Sequence, residues 1–140
     1  MLRTWLFALI CACALSACTD APGSPTPSVP YSQTDVRVGT GDEAVAGRTL
    51  TVNYTGWLYD ASKTDHKGLQ FDSSVGKSPF SFTLGNAQVI RGWDQGVAGM
   101  KVGGLRQLVI PPSLAYGDTR RGSIPPNSTL VFDIELVAVQ

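Results

Sequence analysis

Beyond about Thr34, apolar and polar residues alternate along much of the chain, the period-2 pattern of strands with one buried face. Leu50, Val52 and Tyr54 alternate with Thr51, Asn53 and Thr55. Phe80, Phe82 and Leu84 alternate with Ser81 and Thr83, and Leu108 and Ile110 mark a further strand that stops at Pro111-Pro112. The clearest strand sets Leu130, Phe132, Ile134 and Leu136 against Val131, Asp133, Glu135 and Val137. One segment breaks the period. Ile90, Trp93 and Val97 fall at i, i+3 and i+7, which predicts a short amphipathic helix. Gly92 and Gly96 inside it cost helix stability but let another surface come close. Several antiparallel strands and one short helix make an α+β fold, with the helix covering one face of the sheet. Two stretches read as loops: Tyr59 to Gly68, and the 17-residue run from Pro111 to Asn127. An irregular run of that length inside a compact domain is more often functional than not.

The first residues follow a different pattern. Arg3 supplies a positive charge, and Trp5 to Leu15 is an unbroken apolar run of 11 residues. As a helix it spans about 16 Å at 1.5 Å per residue, roughly half a hydrocarbon core. It therefore reads as a signal-peptide core over residues 1–17 rather than a stable membrane span. Leu15-Ser16-Ala17-Cys18 follows and resembles the lipobox of bacterial lipoproteins. That likeness implies cleavage before Cys18, diacylglycerol on its thiol and an acylated amine, enough chains for stable membrane anchoring. The competing reading is ordinary cleavage after a small residue, with Cys18 an incidental thiol. By analogy with lipoprotein sorting, Thr19 rather than Asp after the cysteine points to the outer membrane, facing the periplasm. Residues 18–33, with Pro22, Pro25, Pro27 and Pro30 among Ser, Thr and Gly, form a semi-extended spacer. The domain then occupies residues 34–140, its motif-bearing core residues 47–140.

Composition changes the picture only once that segment is set apart. A chain of 140 residues suits one domain. With 11 Lys+Arg against 11 Asp+Glu, it offers no electrostatic case for nucleic acid. Of three cysteines, Cys11 and Cys13 leave with the signal and Cys18 carries lipid, which excludes a disulfide framework and a cysteine-based metal or nucleophile site. No metal or other cofactor is expected. His66, the single histidine, lies in a polar loop with Lys63, Asp65 and Lys67 and reads as a solvated surface residue. There is no GxSxG elbow and no HExxH pair. Asp72 has no second carboxylate near it in sequence and reads as a hydrogen-bonded structural group. The glycine-rich stretches at Gly39 to Gly41 and Gly99 to Gly104 lack phosphate-loop spacing and read as turns. What stands out instead is a set of aromatics in loops and at strand ends: Tyr54, Phe71, Phe80, Trp93, Tyr116 and Phe132.

Six motifs occur in order: Val52-Asn53-Tyr54-Thr55-Gly56, Phe71-Asp72-Ser73-Ser74, Pro79 to Gly85, Val89-Ile90-Arg91-Gly92-Trp93-Asp94, Ala115-Tyr116-Gly117 and Ile124 to Asp133. Together they closely resemble the FKBP-type peptidyl-prolyl isomerases, the FK506-binding family, over roughly Val36 to Gln140. The resemblance implies a curved antiparallel sheet wrapped around one short helix, with a pocket between them. It makes Trp93 the pocket floor, Tyr54, Phe71, Phe82 and Phe132 its walls, Val89 and Ile90 one side and Phe80 the rim. It makes the Tyr116 hydroxyl and the Ile90 N–H donors to a bound peptide, Ile124 a further contact, and Asp72 a buried acceptor for Tyr54. The implied partners are proline-containing polypeptides and macrolides of the FK506/rapamycin type.

Some features depart from the family pattern. The loop from Tyr116 to Ile124 is about one residue shorter than in compact members, and Ser123 stands where an aliphatic residue is usual. Tyr59 to Gln70 is longer than usual, and Arg120-Arg121 makes the loop overhanging the pocket basic. Two activities fit the residues: an isomerase acting on X-Pro bonds outside the cytoplasm, or a non-catalytic module or chaperone that holds proline-containing partners. The intact aromatic set favours the isomerase.

Overall fold

The structure is a computed structural model that describes residues 28–140; the signal-like segment and Cys18 lie outside them. Among the described residues the order is β1 (Ser32–Arg37), β2 (Thr49–Tyr59), β3 (Lys67–Ser73), β4 (Phe80–Thr83), α1 (Arg91–Val97), β5 (Leu105–Ile110) and β6 (Leu130–Val139), with a 3-10 turn at Pro112–Leu114. The strands make one curved antiparallel sheet in the order β1-β5-β6-β2-β3. Strand β4 pairs with the first half of β2, from Thr49 to Val52, while β3 pairs with the second half, from Thr55 to Tyr59. The predicted α+β arrangement is therefore present, and α1 packs against β5.

Burial explains which strands form where they do. Leu50 and Val52 of β2, Leu108 and Ile110 of β5, and Leu130, Ile134 and Leu136 of β6 are fully buried. Each such side chain contributes roughly 1.5–3 kcal/mol relative to an exposed one. A bulge in the pairing with β6, where Thr51 meets Ala138 but Val52 meets Leu136, leaves the alternation of β2 intact and shifts that of β6 by one residue, so that Val139 follows Leu136 onto the core. Val131 departs from the expected pattern: it is buried although it sits on the other face from Leu130 and Phe132, because β6 is central and pairs it with both Trp57 and Val109.

Helix α1 has seven residues, two of them glycine, and no side-chain cap at its N-terminus. Each glycine costs about 1 kcal/mol against alanine, so so short a helix forms only through packing. The glycines make that packing possible. A Cβ on Gly92 would lie 2.5 Å from Ile110 Cγ2, and one on Gly96 2.7 Å from the Leu108 side chain. The helix backbone thus lies directly on β5, with Trp93 and Val97 buried beneath it.

Four local features differ from the pattern read along the chain. β1 starts at Ser32, two residues ahead of Thr34, and half-buried Tyr31 packs on the core. The segment from Tyr59 to Gly68 is a tighter connection, residues 60–66, because β2 runs to Tyr59 and β3 begins at Lys67. Within it Asp60 accepts from both the N–H and the hydroxyl of Ser62, closing a turn. His66 is not a free surface residue: its ring stacks on Tyr59 with centroids 4.8 Å apart, and its Nδ1 is buried without a partner. The run from Pro111 to Asn127 is ordered by the 3-10 turn, by Gly117 N–H donating to Pro112 O and Asn127 N–H to Gly117 O, and by a bridge between Arg121 and Ile124.

Candidate active site

Trp93 stands at the centre of an aromatic cluster assembled from five elements. Its ring meets Tyr54 of β2 edge-on at 5.1 Å and Phe132 of β6 edge-on at 5.2 Å. Phe71 of β3 is set edge-on against Phe132 at 5.6 Å, and Phe80 of β4 lies 6.2 Å from Trp93. Edge-to-face pairs at such separations are each worth about 0.5–1.5 kcal/mol beyond area burial, so the cluster is stiff. Gly56 makes room for it. A Cβ there would lie 2.7 Å from both Phe132 Cε1 and Phe71 Cζ.

These side chains enclose a cavity of about 160 Å³, lined by Tyr54, Phe71, Asp72, Phe80, Gln88, Val89, Ile90, Trp93, Tyr116 and Phe132. That is below the roughly 300–1,000 Å³ of sites that engulf a drug-sized ligand. It suits one small ring, with whatever is attached to the ring left at the mouth. Val89 and Ile90 reach the wall through a shaped segment. Asp94 of α1 accepts from the N–H groups of Gly85 and Ala87, and the Gln88 side chain accepts from Thr83 N–H at 2.8 Å. The N–H of Ile90, just ahead of α1, enters no backbone hydrogen bond. Tyr116 comes from the ordered loop that follows the 3-10 turn at Pro112–Leu114.

Nine of the eleven pocket residues named from the sequence line the cavity. The exceptions are Phe82 and Ile124. Phe82 stacks on Phe80 at 5.8 Å but lies two residues deeper along β4, so it is buried behind Trp93 rather than beside a ligand. Ile124 is turned into the core by the Arg121–Ile124 bridge, where it anchors the overhanging loop. Asp72 accepts from the Tyr54 hydroxyl at 2.6 Å, yet it is exposed at the mouth instead of buried, since β3 is an edge strand. Gln88 is a lining residue the sequence reading missed. Its position between Ala87 and Val89 was the one available signal, and nothing in its type marks it.

Burial, reinforced by the hydrogen bond to Asp72, raises the Tyr54 phenol well above its ordinary value. Tyr54 therefore keeps its proton and serves as a fixed donor, not as a base. The Trp93 Nε1–H is buried with no partner atom. The site is thus an apolar, rigid concavity with a few polar groups at its lip.

Residues 41–137 match the family model of the FKBP-type peptidyl-prolyl cis-trans isomerase. The chain belongs to the FKBP-type peptidyl-prolyl isomerase family. It is 48% identical over 107 residues to an FK506-binding protein of Neisseria meningitidis, covering 75% of this chain and 92% of that protein. Among solved structures it is similar to FkpA from Escherichia coli, with TM-score 0.65 and 44% identity over 79% of this chain and 48% of that one. It is similar also to AtFKBP13, with TM-score 0.65 and 41% identity over 79% of this chain and 93% of that one. As an FKBP-type enzyme the protein is a peptidyl-prolyl isomerase, and the FKBP match contains all ten cavity-lining residues.

Proposed function

We propose that the aromatic cavity over Trp93 is the isomerase site and that the enzyme acts outside the cytoplasm from a lipid anchor on Cys18. The observation that carries the first half is the size and aromatic lining of the cavity: about 160 Å³ walled by rings fits a proline ring and little more. The second half is supported by the apolar run, the Leu15-Ser16-Ala17-Cys18 motif and the proline-rich stretch after it.

Rotation about an amide forfeits its resonance, a barrier of about 18–20 kcal/mol. Uncatalysed X-Pro exchange accordingly takes roughly tens to hundreds of seconds. The twisted amide has less charge separation than the planar one, so a dry apolar wall favours it over water. The Ile90 N–H and the Tyr116 hydroxyl hold the flanking carbonyls of the peptide in a tight turn. No bond to the enzyme forms and no proton moves. Lowering the barrier by about 5 kcal/mol would raise the rate by nearly four orders of magnitude. An FK506- or rapamycin-type macrolide would compete by placing one ring in the cavity and the remainder across Phe80 and Tyr116.

The test is an X-Pro exchange assay on the full chain in detergent, with and without such a macrolide. Acceleration that the macrolide abolishes is expected. Tight proline-peptide binding without acceleration would replace the enzyme reading by the holding module.

A further inference from the structure

The helix that carries Trp93 is held from behind by one buried cation. Arg106 of β5 is only 7% exposed. Its Nη1 donates to the carbonyls of Gly96 at 2.8 Å and Ala98 at 3.2 Å, at the C-terminal end of α1. Its Nε and Nη2 donate to the two carboxylate oxygens of Asp35 at 2.6 and 3.2 Å, the two-pronged geometry in which Arg–carboxylate pairs are strongest. The last carbonyls of any helix lack partners within it, and a cation there also complements the helix dipole. α1 has no basic residue of its own in its last turn. Arg106 supplies both needs from the neighbouring strand.

Asp35 lies on β1, which pairs with β5 alone. Next to it, Tyr31 rests on the same helix: its hydroxyl oxygen lies 2.5 Å from where a Cβ of Gly96 would be. Both residues precede residue 41, where the family match begins. The stretch joining the proline-rich segment to the domain is therefore in contact with the element that forms the cavity floor.

We propose that Asp35 and Arg106 are positioning residues for Trp93, so that β1 sets the seat of the helix and through it the shape of the cavity. This rests on the cavity being the isomerase site. With two glycines and seven residues, α1 has little stiffness of its own, and its seat follows the groups that grip its end. Asp35 fixes the guanidinium, the guanidinium fixes the two carbonyls, and Trp93 lies one turn away.

The test uses the full chain labelled with 5-fluorotryptophan, which gives ¹⁹F lines for Trp5, Trp57 and Trp93, the last identified with Trp93→Phe. Asp35→Asn removes the charge from a half-exposed position and leaves Arg106 itself unsubstituted. It should shift the Trp93 line, leave the Trp57 line alone and lower kcat/KM by at least about fivefold, the low end of coupling between sites. Asp35→Glu should retain most of both properties. Arg106→Lys, whose ammonium cannot span Asp35 and two carbonyls together, should behave like Asp35→Asn. If folded Asp35→Asn loses thermal stability but keeps the wild-type Trp93 line and kcat/KM well below its melting midpoint, the pair is merely structural and the proposal is wrong. An unfolded Arg106→Lys protein would leave the decision with the two Asp35 variants. Should the wild type show no isomerase activity, the ¹⁹F line still decides the brace while the site reading fails by itself.

Discussion

The Tyr54 hydroxyl donates to Asp72 Oδ2 at 2.6 Å, linking the middle of β2 to the edge strand β3 at the cavity mouth. Because burial and this bond raise the Tyr54 phenol, the native state holds its proton more tightly than the unfolded chain does. Below the unfolded value of about pH 10 the contribution is complete; as pH rises past 10 the unfolded phenol ionises first and stability falls. Thermal midpoints measured from pH 8 to 11.5 should drop at the alkaline end. Tyr54→Phe should remove part of that drop, the remainder coming from Tyr31, which burial also raises. An alkaline slope identical in Tyr54→Phe would refute the assignment.

Trp93 meets Tyr54 and Phe132 at 5.1 and 5.2 Å, so its ring both fills the floor and spaces the walls. Trp93→Leu should cost about 2–5 kcal/mol, in the range for large-to-small core changes, and lower kcat/KM more than tenfold. Trp93→Phe, which keeps a flat ring, should lose less of both. Denaturant melts and exchange rates on the same samples separate the two effects. A folded Trp93→Leu protein with wild-type kcat/KM would remove Trp93 from the site.

Strands β2, β4, β5 and β6 were legible because each carries large apolar side chains at every second position along its core-facing side, even where, as at Val109 and Val131, the other face is buried too. β1 and β3 were not, for the same physical reason reversed. All six residues of β1 are exposed, and β3 presents exposed Leu69 and Gln70 beside half-buried Phe71, so neither carries an alternation to read. The aromatic members of the site were legible as a group, since their motifs recur in order. Depth was not. Phe80 and Phe82 share one face of β4, and only the packing shows that Phe80 meets the cavity while Phe82 lies behind Trp93. The grip of Arg106 on the helix was invisible too: Asp35 is 71 residues away in sequence, and Arg106 falls in a strand where a charge would be expected to face water.

Gly56 offers a sharper probe of the walls than any aromatic substitution. Its φ is not in the left-handed region, so alanine would suffer only from contact with the Phe71 and Phe132 rings, both 2.7 Å from the new Cβ. Gly56→Ala should destabilise by about 1–3 kcal/mol, as overpacking does. It should also weaken proline-peptide binding, because relieving the overlap pushes both rings toward the cavity. Titration of a proline tetrapeptide checks this; unchanged affinity in a destabilised variant would mean that the rings relax outward instead.

Cys18 separates anchor from chemistry. If the thiol carries lipid, Cys18→Ser should move the protein from the membrane to the soluble fraction of fractionated cells and abolish metabolic labelling with a palmitate analogue. Its kcat/KM should equal that of the wild type, since residue 18 lies well ahead of the strand that first touches the domain. Retention of Cys18→Ser in the membrane would count against the lipid anchor.

Arg121 places a cation beside the mouth. Its guanidinium carbon lies 5.2 Å from the centroid of the Tyr116 ring, and mutual hydrogen bonds with Ile124 hold its backbone in place. Arg120 adds to it, whereas Asp118 on the same loop subtracts, which leaves that side of the mouth basic. Asp72 brings one carboxylate to the cavity lining, where it is engaged by the Tyr54 hydroxyl. A peptide whose residue nearest Tyr116 is acidic should therefore be turned over faster than its lysine counterpart, by a few fold at low salt. The difference should shrink at about 0.15 M salt, where the screening length is about 8 Å. Arg121→Ala should flatten the ranking while leaving turnover of a neutral peptide unchanged. Comparing Glu, Ala and Lys on either side of the proline, in both proteins and at two salt concentrations, decides the matter. The same ranking in Arg121→Ala as in the wild type would show that the loop charge has no part in substrate choice.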